Sequence, residues 1–248
     1  MKNELLFGIH SVSEALRAGR RQFIEIYTIR TKPSKRIKAV LEMAARRQIP
    51  IQMLNSNLLD KMAGNAFHQS IGAKVSPYPF THLNGLIDKT DIAGEAPFLL
   101  MLDHVTDARN MGALVRTAVC AGVTGIITTK DRAAPITAAV CQASTGAVEH
   151  AQIARVTNMV TTIKALKQSG LWIAGLDKAA RQSVFEQNLS GPLAVVIGSE
   201  EKGIRPLVKK NCDFLLAIPQ QGAVDSLNAS VAGGIVMYEI FRQRTLGN

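Results

Sequence analysis

The chain has 248 residues, of which 47% are hydrophobic, and a formal net charge of +10. This length allows one large domain or two smaller ones, with enough apolar residues for a core. No apolar run approaches the roughly 18 residues of a membrane span, and no long apolar stretch follows the N-terminus as in a secretory signal. The three cysteines are widely spaced and the five histidines form no HxxxH or HxH pair. We therefore expect a cytoplasmic protein with reduced thiols and no bound metal.

The positive charge is concentrated near the N-terminus. Residues 1–75 contain 13 lysines and arginines against 5 acidic residues, a surplus of +8 out of the total of +10. A basic part joined to a nearly neutral part suggests that one part binds a polyanion and the other does chemistry. From charge alone, a basic surface that merely keeps the protein soluble fits equally well.

The first 75 residues alternate between helix and strand patterns. A capping box, with Ser11 as N-cap and Glu14 three residues later, predicts that the first helix begins at Ser11. The predicted helices are Ser11–Ala18, Ser34–Gln48 and Ser56–Met62, and the predicted strands are Phe23–Ile29, Ile49–Leu54 and Ser70–Val75. These elements indicate a compact α/β unit over residues 1–76.

Residues 77–96 are rich in proline and glycine and show little periodicity, which predicts a linker with one helical turn near Leu83–Ile87. Strand and helix patterns then alternate over residues 97–248. The predicted strands are 98–103, 124–129, 151–156, 171–176, 193–198 and 213–218, and the predicted helices are 110–121, 135–144, 158–169, 204–210 and 226–243. This alternation predicts an α/β fold with a mostly parallel sheet and helices on both faces.

Three short segments of this second part resemble pieces of one site. Residues 110–116, 198–203 and 226–230 are polar or glycine-rich, and each adjoins an apolar run that reads as a buried strand. Loops just past strand ends are where open α/β sheets bind ligands, so we expect a small-molecule pocket there. Common nucleotide motifs do not fit. There is no GxGxxG, and Gly198–Gly203 is followed by Ile204 and Arg205 where a P-loop needs lysine and a hydroxyl residue. A nucleotide-dependent oxidoreductase is thereby disfavoured.

These segments resemble the three motifs of the SpoU branch of the SPOUT RNA methyltransferases. The first is a D-x(6)-N-x-G-x(3)-R pattern over Asp103–Arg116, the second is the loop Gly198–Gly203, and the third is Ser226–Ser230. Phe7–Val12 and His68–Ile71 are similar to the RNA-binding domain of members that methylate guanosine in 23S rRNA. The resemblance implies a substrate RNA-binding domain over 1–76 with a ribosomal-protein-like α/β fold, a linker over 77–96 and a catalytic domain over 97–248 with a trefoil knot.

The resemblance also implies the site. S-adenosylmethionine is the expected cofactor, and ribose 2'-O-methylation is the expected reaction. The implied catalytic residues are Asn110, Arg116, Glu200, Ser226 and Asn228; the implied cofactor-binding residues are Thr128, Gly198, Ile218, Pro219, Ser226 and Leu227. Each has a plainer interpretation alone: Ser226 and Asn228 are ordinary N-cap residues, and an arginine on an apolar helix usually extends to solvent. The sequence departs from the family pattern at Ala108, Glu201 and His104. Glu201 would be strained if its backbone needed positive φ.

The basic residues of the N-terminal part are candidate phosphate contacts, namely Arg20, Arg21, Lys35, Arg36, Arg46 and Arg47. Large-subunit rRNA, or a precursor particle that contains it, is the expected substrate. Family members are homodimers, and the last helix carries Val231, Ile235, Tyr238 and Phe241 toward one side, which fits either a dimer interface or a core. Two alternatives stay open: a tRNA 2'-O-methyltransferase of the same family, and a non-catalytic RNA-binding factor in ribosome assembly.

Overall fold

The computed structural model of this protein describes residues 3–29, 33–64, 66–87, 96–222 and 226–246. In chain order, the elements within these ranges are β1 (Glu4–Phe7), α1 (Ile9–Ala18), β2 (Phe23–Ile29), α2 (Lys35–Arg46), β3 (Ile51–Leu54), α3 (Ser56–Ala63), β4 (Ile71–Val75), α4 (Leu83–Ile87), β5 (Phe98–Asp103), α5 (Ala108–Cys120), β6 (Gly125–Thr129), α6 (Ala138–Ala143), a 3-10 helix (Ala147–His150), β7 (Ile153–Val156), α7 (Met159–Gln168), β8 (Trp172–Leu176), β9 (Gln182–Ser183), β10 (Leu193–Gly198), α8 (Pro206–Lys210), β11 (Phe214–Ala217) and α9 (Ala229–Leu246).

The chain divides into two compact units that are not contiguous in sequence. The first unit comprises Met1–Pro79 and Pro135–His150, and the second comprises Phe80–Ala134 and Ala151–Asn248. The segment with α6 and the 3-10 helix therefore groups with the N-terminal residues, although it lies between two strands of the second unit in sequence. The contiguous boundaries proposed from sequence stay a prediction.

The first unit has a four-stranded sheet in the order β1-β4-β2-β3. β4 pairs antiparallel with both β1 and β2, and β2 pairs parallel with β3. Side-chain caps fix the starts of α2 and α3, because Ser34 and Asn55 each accept a hydrogen bond from a backbone N–H of the first turn. The predicted cap of α1 was wrong: the helix begins two residues earlier, with Gly8 at the N-cap, and Ser11 is buried inside it.

The second unit has a seven-stranded sheet in the order β7-β6-β5-β10-β8-β11-β9, and every pairing between its strands is parallel. All six residues of β5 and all six of β10 are buried. Parallel strands covered on both faces read as continuous apolar runs, which is why these two strands were predicted with the correct bounds. The predicted α/β class with a mostly parallel sheet is confirmed, and the trefoil knot stays a prediction.

The packing of the second unit leaves its functional loops at one edge. Its core contains Met101, Ile163 and Val196, each fully buried, and most of the other members come from strands β5, β6, β7, β8 and β10 and from helices α4, α7 and α8. α5 and α9 pack against each other, and a Cβ added to Gly233 of α9 would lie 2.4 Å from Leu114 of α5. This close helix pairing brings the starts of α5 and α9 to the edge of the sheet where β10 ends.

Candidate active site

Three loops at the carboxyl ends of neighbouring strands enclose a cavity of about 590 Å³. Its walls come from the ends of β8 and β10, the loop Ser199–Gly203, the residues after β11, and the start of α9. Ile197, Ile218 and Leu227 give it apolar surface, while Asp177 and Lys178 lie at the end of β8. Carboxyl ends of parallel strands are the usual ligand-binding edge of such sheets, so the position agrees with a small-molecule site.

The loop that follows β10 folds back onto its own start. Gly203 donates its backbone N–H to the carbonyl oxygen of Ser199 at 2.8 Å. A Cβ on Gly198 would lie 2.0 Å from the carbonyl carbon of Gly203, so only glycine allows this closure. Gly203 itself has φ +62, whereas Glu201 does not have positive φ. The strain expected at Glu201 is therefore absent, because the left-handed position in this loop is taken by glycine.

A second, polar cavity of about 460 Å³ shares a wall with the first. Residues Ser199–Lys202 and Ala229 line both cavities. The second cavity is otherwise lined by the loop after β5 and the start of α5, including His104, Asp107 and Asn110, and by Arg132. Two adjoining cavities, one largely apolar and one polar, can hold two different molecules with their reacting groups at the common wall.

One polar side chain from each sequence motif meets at or beside the common wall: Glu200 lines both cavities, Asn110 lines the second one, and Asn228 bonds to both of these residues. Asn228 donates its Nδ2–H to Asn110 Oδ1 at 3.0 Å and also to the carboxylate of Glu200. The same Asn228 caps α9, because its Oδ1 accepts from the backbone N–H of Ser230 at 2.9 Å and from that of Val231 at 3.3 Å. Its predicted role as an N-cap is confirmed, and the capping oxygen leaves the amide nitrogen pointing into the cluster.

An ion pair between a buried carboxylate and a partly exposed arginine holds the loop after Gly203 to the end of β5. The Asp103 carboxylate is fully buried and accepts from the Arg205 backbone N–H at 3.0 Å and from its Nε–H at 2.9 Å. The Arg205 Nη2 lies 2.7 Å from the same carboxylate. A buried carboxylate needs such a partner. Sequence reasoning missed Arg205, although an acidic residue that ends a fully apolar strand was a signal that some cation must meet it.

Four of the six predicted cofactor residues line the 590 Å³ cavity, namely Gly198, Ile218, Ser226 and Leu227. Pro219 lies between two lining residues without itself lining the cavity. Thr128 is on β6, which is separated from β10 by β5, so it does not reach this cavity. The buried Thr128 Oγ1 has no hydrogen-bond partner among the described residues.

Arg116 is not brought into the cluster. It is exposed on α5, six residues after Asn110, and it lines neither cavity. At 3.6 residues per turn and 1.5 Å per residue, six positions correspond to about 240° around the helix and about 9 Å along it. Arg116 therefore faces a different direction from Asn110.

The basic residues of the first unit separate into two groups. Lys35, Arg36, Arg46 and Arg47 are all exposed on or beside α2. The side chain of Arg21 is instead completely buried, with its Nε 2.8 Å from Glu149 Oε2 and its Nη1 2.5 Å from Glu4 Oε2. Arg20 donates to the backbone carbonyl of Pro79 at 2.9 Å. As placed, Arg21 has no access to a phosphate, because the guanidinium is used inside the unit.

The three cysteines are free, with Cys120 exposed, Cys212 partly buried and Cys141 buried. Burial is the main cause that raises the pKa of Cys141, and it raises the pKa of Cys212 to about 12. Among the residues that the structure describes, no group of three or more His, Cys, Asp or Glu side chains is placed to hold a metal ion. Within the same ranges, no helix is long and apolar enough to cross a membrane.

Comparison with known proteins identifies the family. Residues 97–238 match the SpoU rRNA Methylase family, and residues 5–81 match the family described as RNA 2'-O ribose methyltransferase substrate binding. The chain therefore belongs to the SpoU rRNA methylase family, and the resemblance seen in its motifs is confirmed.

Similar individual proteins cover nearly the whole chain. The 23S rRNA (guanosine-2'-O-)-methyltransferase RlmB of Vibrio cholerae is 40% identical over 244 residues, which is 98% of this chain and 98% of that protein. A putative TrmH family tRNA/rRNA methyltransferase, YacO of Bacillus subtilis, is 39% identical over 98% of this chain and 97% of its own length. The crystal structure of the SpoU methyltransferase AviRb from Streptomyces viridochromogenes in complex with AdoMet has a TM-score of 0.81 at 24% identity, covering 99% of this chain and 92% of that one.

Proposed function

We propose that this protein transfers a methyl group from S-adenosylmethionine to the ribose 2'-hydroxyl of a guanosine in large-subunit rRNA. The observation that carries the proposal is the cluster of Asn110, Glu200 and Asn228, in which Glu200 lines both cavities and Asn228 bonds to the other two residues. Membership in an rRNA methylase family sets the reaction class, and the 23S rRNA guanosine specificity follows the relative from Vibrio cholerae.

The larger cavity fits S-adenosylmethionine. Its volume of about 590 Å³ is in the range of small-molecule sites, which is roughly 300–1,000 Å³. Apolar walls from Ile197, Ile218 and Leu227 suit an adenine ring, and the folded-back loop at Gly198 exposes backbone groups that can read its polar edge. When bound, this cofactor supplies a methyl group that is already activated on a sulfonium sulfur.

The residues of the chain then have to position the ribose 2'-hydroxyl group against the cofactor cavity. Positioning a bound reactant can contribute about 7–11 kcal/mol to lowering a barrier. The hydrogen bond from Asn228 holds the Asn110 amide, which lines the second cavity, and the same Asn228 holds Glu200 at the common wall. We assign to this cluster the orientation of the ribose hydroxyl toward the cofactor cavity. Glu200 is the acceptor that can take a hydrogen bond from that hydroxyl.

Arg116 is best explained by a second copy of the chain. It lines neither cavity of its own subunit, and it lies on α5, which packs against α9. α9 exposes large apolar side chains, with Val231 and Tyr238 each 50% exposed and Phe241 40% exposed. Such a stripe is typical of a protein interface. We propose a homodimer formed through this face, in which Arg116 stabilises negative charge on the ribose hydroxyl of the partner's site. We do not assign Arg116 the role of general base, because a guanidinium stays protonated at neutral pH.

The reaction is tested with purified protein, labelled S-adenosylmethionine, and unmodified large-subunit rRNA, small-subunit rRNA and tRNA side by side. Alkaline hydrolysis follows, because a methylated 2'-oxygen cannot attack its own phosphate and leaves a resistant dinucleotide. We expect labelled, alkali-resistant dinucleotide from large-subunit rRNA, with guanosine carrying the methyl group. Label in tRNA alone would instead support the tRNA-modifying alternative, and cofactor binding without transfer to naked RNA or to precursor particles would support the non-catalytic factor.

The role of Arg116 is tested by mixing two variants that we expect to be inactive when each is alone. Arg116→Ala and Asn110→Ala are each purified, mixed, unfolded and refolded together so that mixed dimers form. If Arg116 acts in the partner's site, each mixed dimer contains one site with both residues intact, and activity returns. If Arg116 acts in its own subunit, both sites of the mixed dimer are broken and the mixture stays inactive. Refolded wild type and each variant refolded alone are the controls.

The exposed face of α2 is the proposed RNA contact in the first unit, which includes most of the region that matches the substrate-binding family. Lys35, Arg36, Arg46 and Arg47 are exposed there. Phosphate contacts make affinity depend on salt, with a slope of about 0.7–0.9 per phosphate neutralised. Replacing two of these residues by glutamine should lower the salt slope of rRNA binding without changing cofactor affinity. An unchanged slope would exclude this face.

A further inference from the structure

A third cavity adjoins the proposed nucleotide site. It measures about 420 Å³ and is lined by His104, Thr129, Asp131, Arg132, Thr157 and Arg205. His104 and Arg132 also line the 460 Å³ cavity that contains Asn110, so the two spaces share these two residues as a wall. A nucleotide whose ribose lies beside Asn110 would therefore have another of its groups within reach of this third cavity.

The third cavity offers both hydrogen-bond donors and acceptors. Its charges nearly balance, because Arg205 is engaged by the buried Asp103. Asp131 uses its backbone carbonyl to accept from Thr129 Oγ1 at 2.6 Å, which leaves its carboxylate available. Among the described residues, the side chains of Asp131 and Arg132 have no hydrogen-bond or ion-pair partner and do not pair with each other. A guanidinium with five N–H donors thus lies near a carboxylate that only accepts.

The two wall residues also have unusual backbone conformations. His104 has φ +61 and Arg132 has φ +53, both in the left-handed region that non-glycine residues seldom adopt. Such strained conformations are concentrated at functional sites. From sequence alone, His104 read as an ordinary polar loop residue. The structure instead places it, with Arg132, where it separates two cavities.

The third cavity has both hydrogen-bond donors and acceptors, and this balance indicates which class of ligand it binds. A bare phosphate needs an excess of donors and would be repelled by Asp131. Guanine carries acceptors at O6 and N7 on one edge and donors at N1–H and the 2-amino group on another, and bidentate arginine to O6 and N7 is the commonest specific contact to this base. Enzymes that modify a nucleotide also commonly read an extruded base in a pocket of this kind.

We propose that the third cavity binds the guanine base of the nucleotide whose ribose is methylated, with Arg132 donating to O6 and N7 and Asp131 accepting from N1–H and the 2-amino group. This proposal rests on the proposed function and names the part of the site that selects the base. His104 forms the wall between base and ribose. Burial, Arg205 and Arg132 lower the pKa of His104 while Asp103 acts in the opposite sense, so the ring is neutral at neutral pH and suited to stack on the base.

The test uses large-subunit rRNA fragments in which the nucleotide methylated in the assay above is replaced by one of two analogues. 7-Deazaguanosine lacks the N7 acceptor, and inosine lacks the 2-amino donor, while both keep the 2'-hydroxyl. For the wild-type protein, we expect each analogue to lower kcat/KM by about tenfold. In Arg132→Gly, where glycine adopts the left-handed backbone without strain, the penalty for 7-deazaguanosine should disappear while that for inosine remains. In Asp131→Ala, the penalty for inosine should disappear instead.

Lys130→Ala is the matched control, because Lys130 is exposed, has the same charge as Arg132, and lines neither cavity. Both analogue penalties should persist in this variant. Calorimetric affinity for S-adenosylmethionine should be unchanged in all three variants, which checks that each of them is folded. The proposal is overturned if Arg132→Gly and Asp131→Ala show the same analogue penalties as the wild type. It is also overturned if a fragment with adenosine at the target is methylated as well as one with guanosine. Absence of methyl transfer to any RNA would instead refute the proposed function itself.

Discussion

The buried pair of Arg21 and Glu149 gives the sharpest stability prediction for the first unit. Their side chains are 0% and 1% exposed, and the guanidinium Nε lies 2.8 Å from the carboxylate. Arg21 also donates to Glu4 at 2.5 Å and to the Ser76 carbonyl at 3.2 Å. After Arg21→Met, the Glu149 carboxylate would keep, among the residues that the structure describes, only the weak thiol donor of Cys141 at 3.5 Å. An unpaired buried charge of this kind costs about 3–5 kcal/mol, and we expect a loss of that size in the free energy of unfolding.

Urea denaturation followed by circular dichroism measures this loss. The single tryptophan, Trp172, lies in the second unit and does not monitor the first. Replacing both partners, with Arg21→Met and Glu149→Leu together, should cost much less than the sum of the single changes, because no unpaired charge then remains between them. Arg46→Met, on the exposed face of α2, is the control and should change stability by less than about 0.5 kcal/mol.

The same variants separate stability from RNA binding. Arg46→Met should lower the salt slope of rRNA binding by about 0.7–0.9, whereas Arg21→Met should leave the slope unchanged. The reasoning fails if Arg21→Met costs no more stability than Arg46→Met, or if the single changes add in the double variant. A lowered salt slope in Arg21→Met would show that its guanidinium reaches RNA after all.

Four further predictions follow from local geometry. Gly198→Ala should weaken cofactor binding by more than about tenfold in calorimetry, since its Cβ would lie 2.0 Å from backbone, whereas Gly191→Ala, with open space around it, should not. Asn228→Ser keeps a side-chain cap for α9 but removes the amide donor, so kcat should fall while the melting temperature holds. A thiol reagent at pH 8 should modify Cys120 quickly and the other two cysteines only after unfolding. Burial raises the pKa of Tyr78 to about 12, so its contribution to stability is complete below pH 10 and is lost as the pH rises toward 12. Comparing the alkaline unfolding of the wild type with that of Tyr78→Phe measures that contribution. Each prediction fails if the two proteins, or the two kinds of cysteine, that it compares behave alike.

Local patterns in the sequence determined most of the elements of the second unit. β5 and β10 were predicted with the correct bounds, because strands buried on both faces show as unbroken apolar runs between turn residues. β1 and the two-residue β9 were missed, since short strands carry too little periodicity to stand out. The start of α1 was misplaced because a capping box was read where Gly8, with φ +92, makes the turn into the helix.

The sequence by itself also identified the family and the three motifs, since their residue types and order are specific. Only the tertiary structure decided which of those residues meet. Asn110, Glu200 and Asn228 come together because parallel strands end at one edge and α5 packs on α9. Arg116 and Thr128 lie elsewhere, because helical phase and strand order do not follow from spacing along the chain. Some arginines are exposed, as on α2, whereas Arg21 is buried against Glu149, a partner more than a hundred residues away in the chain. A local sequence pattern cannot predict a partner that is so distant along the chain.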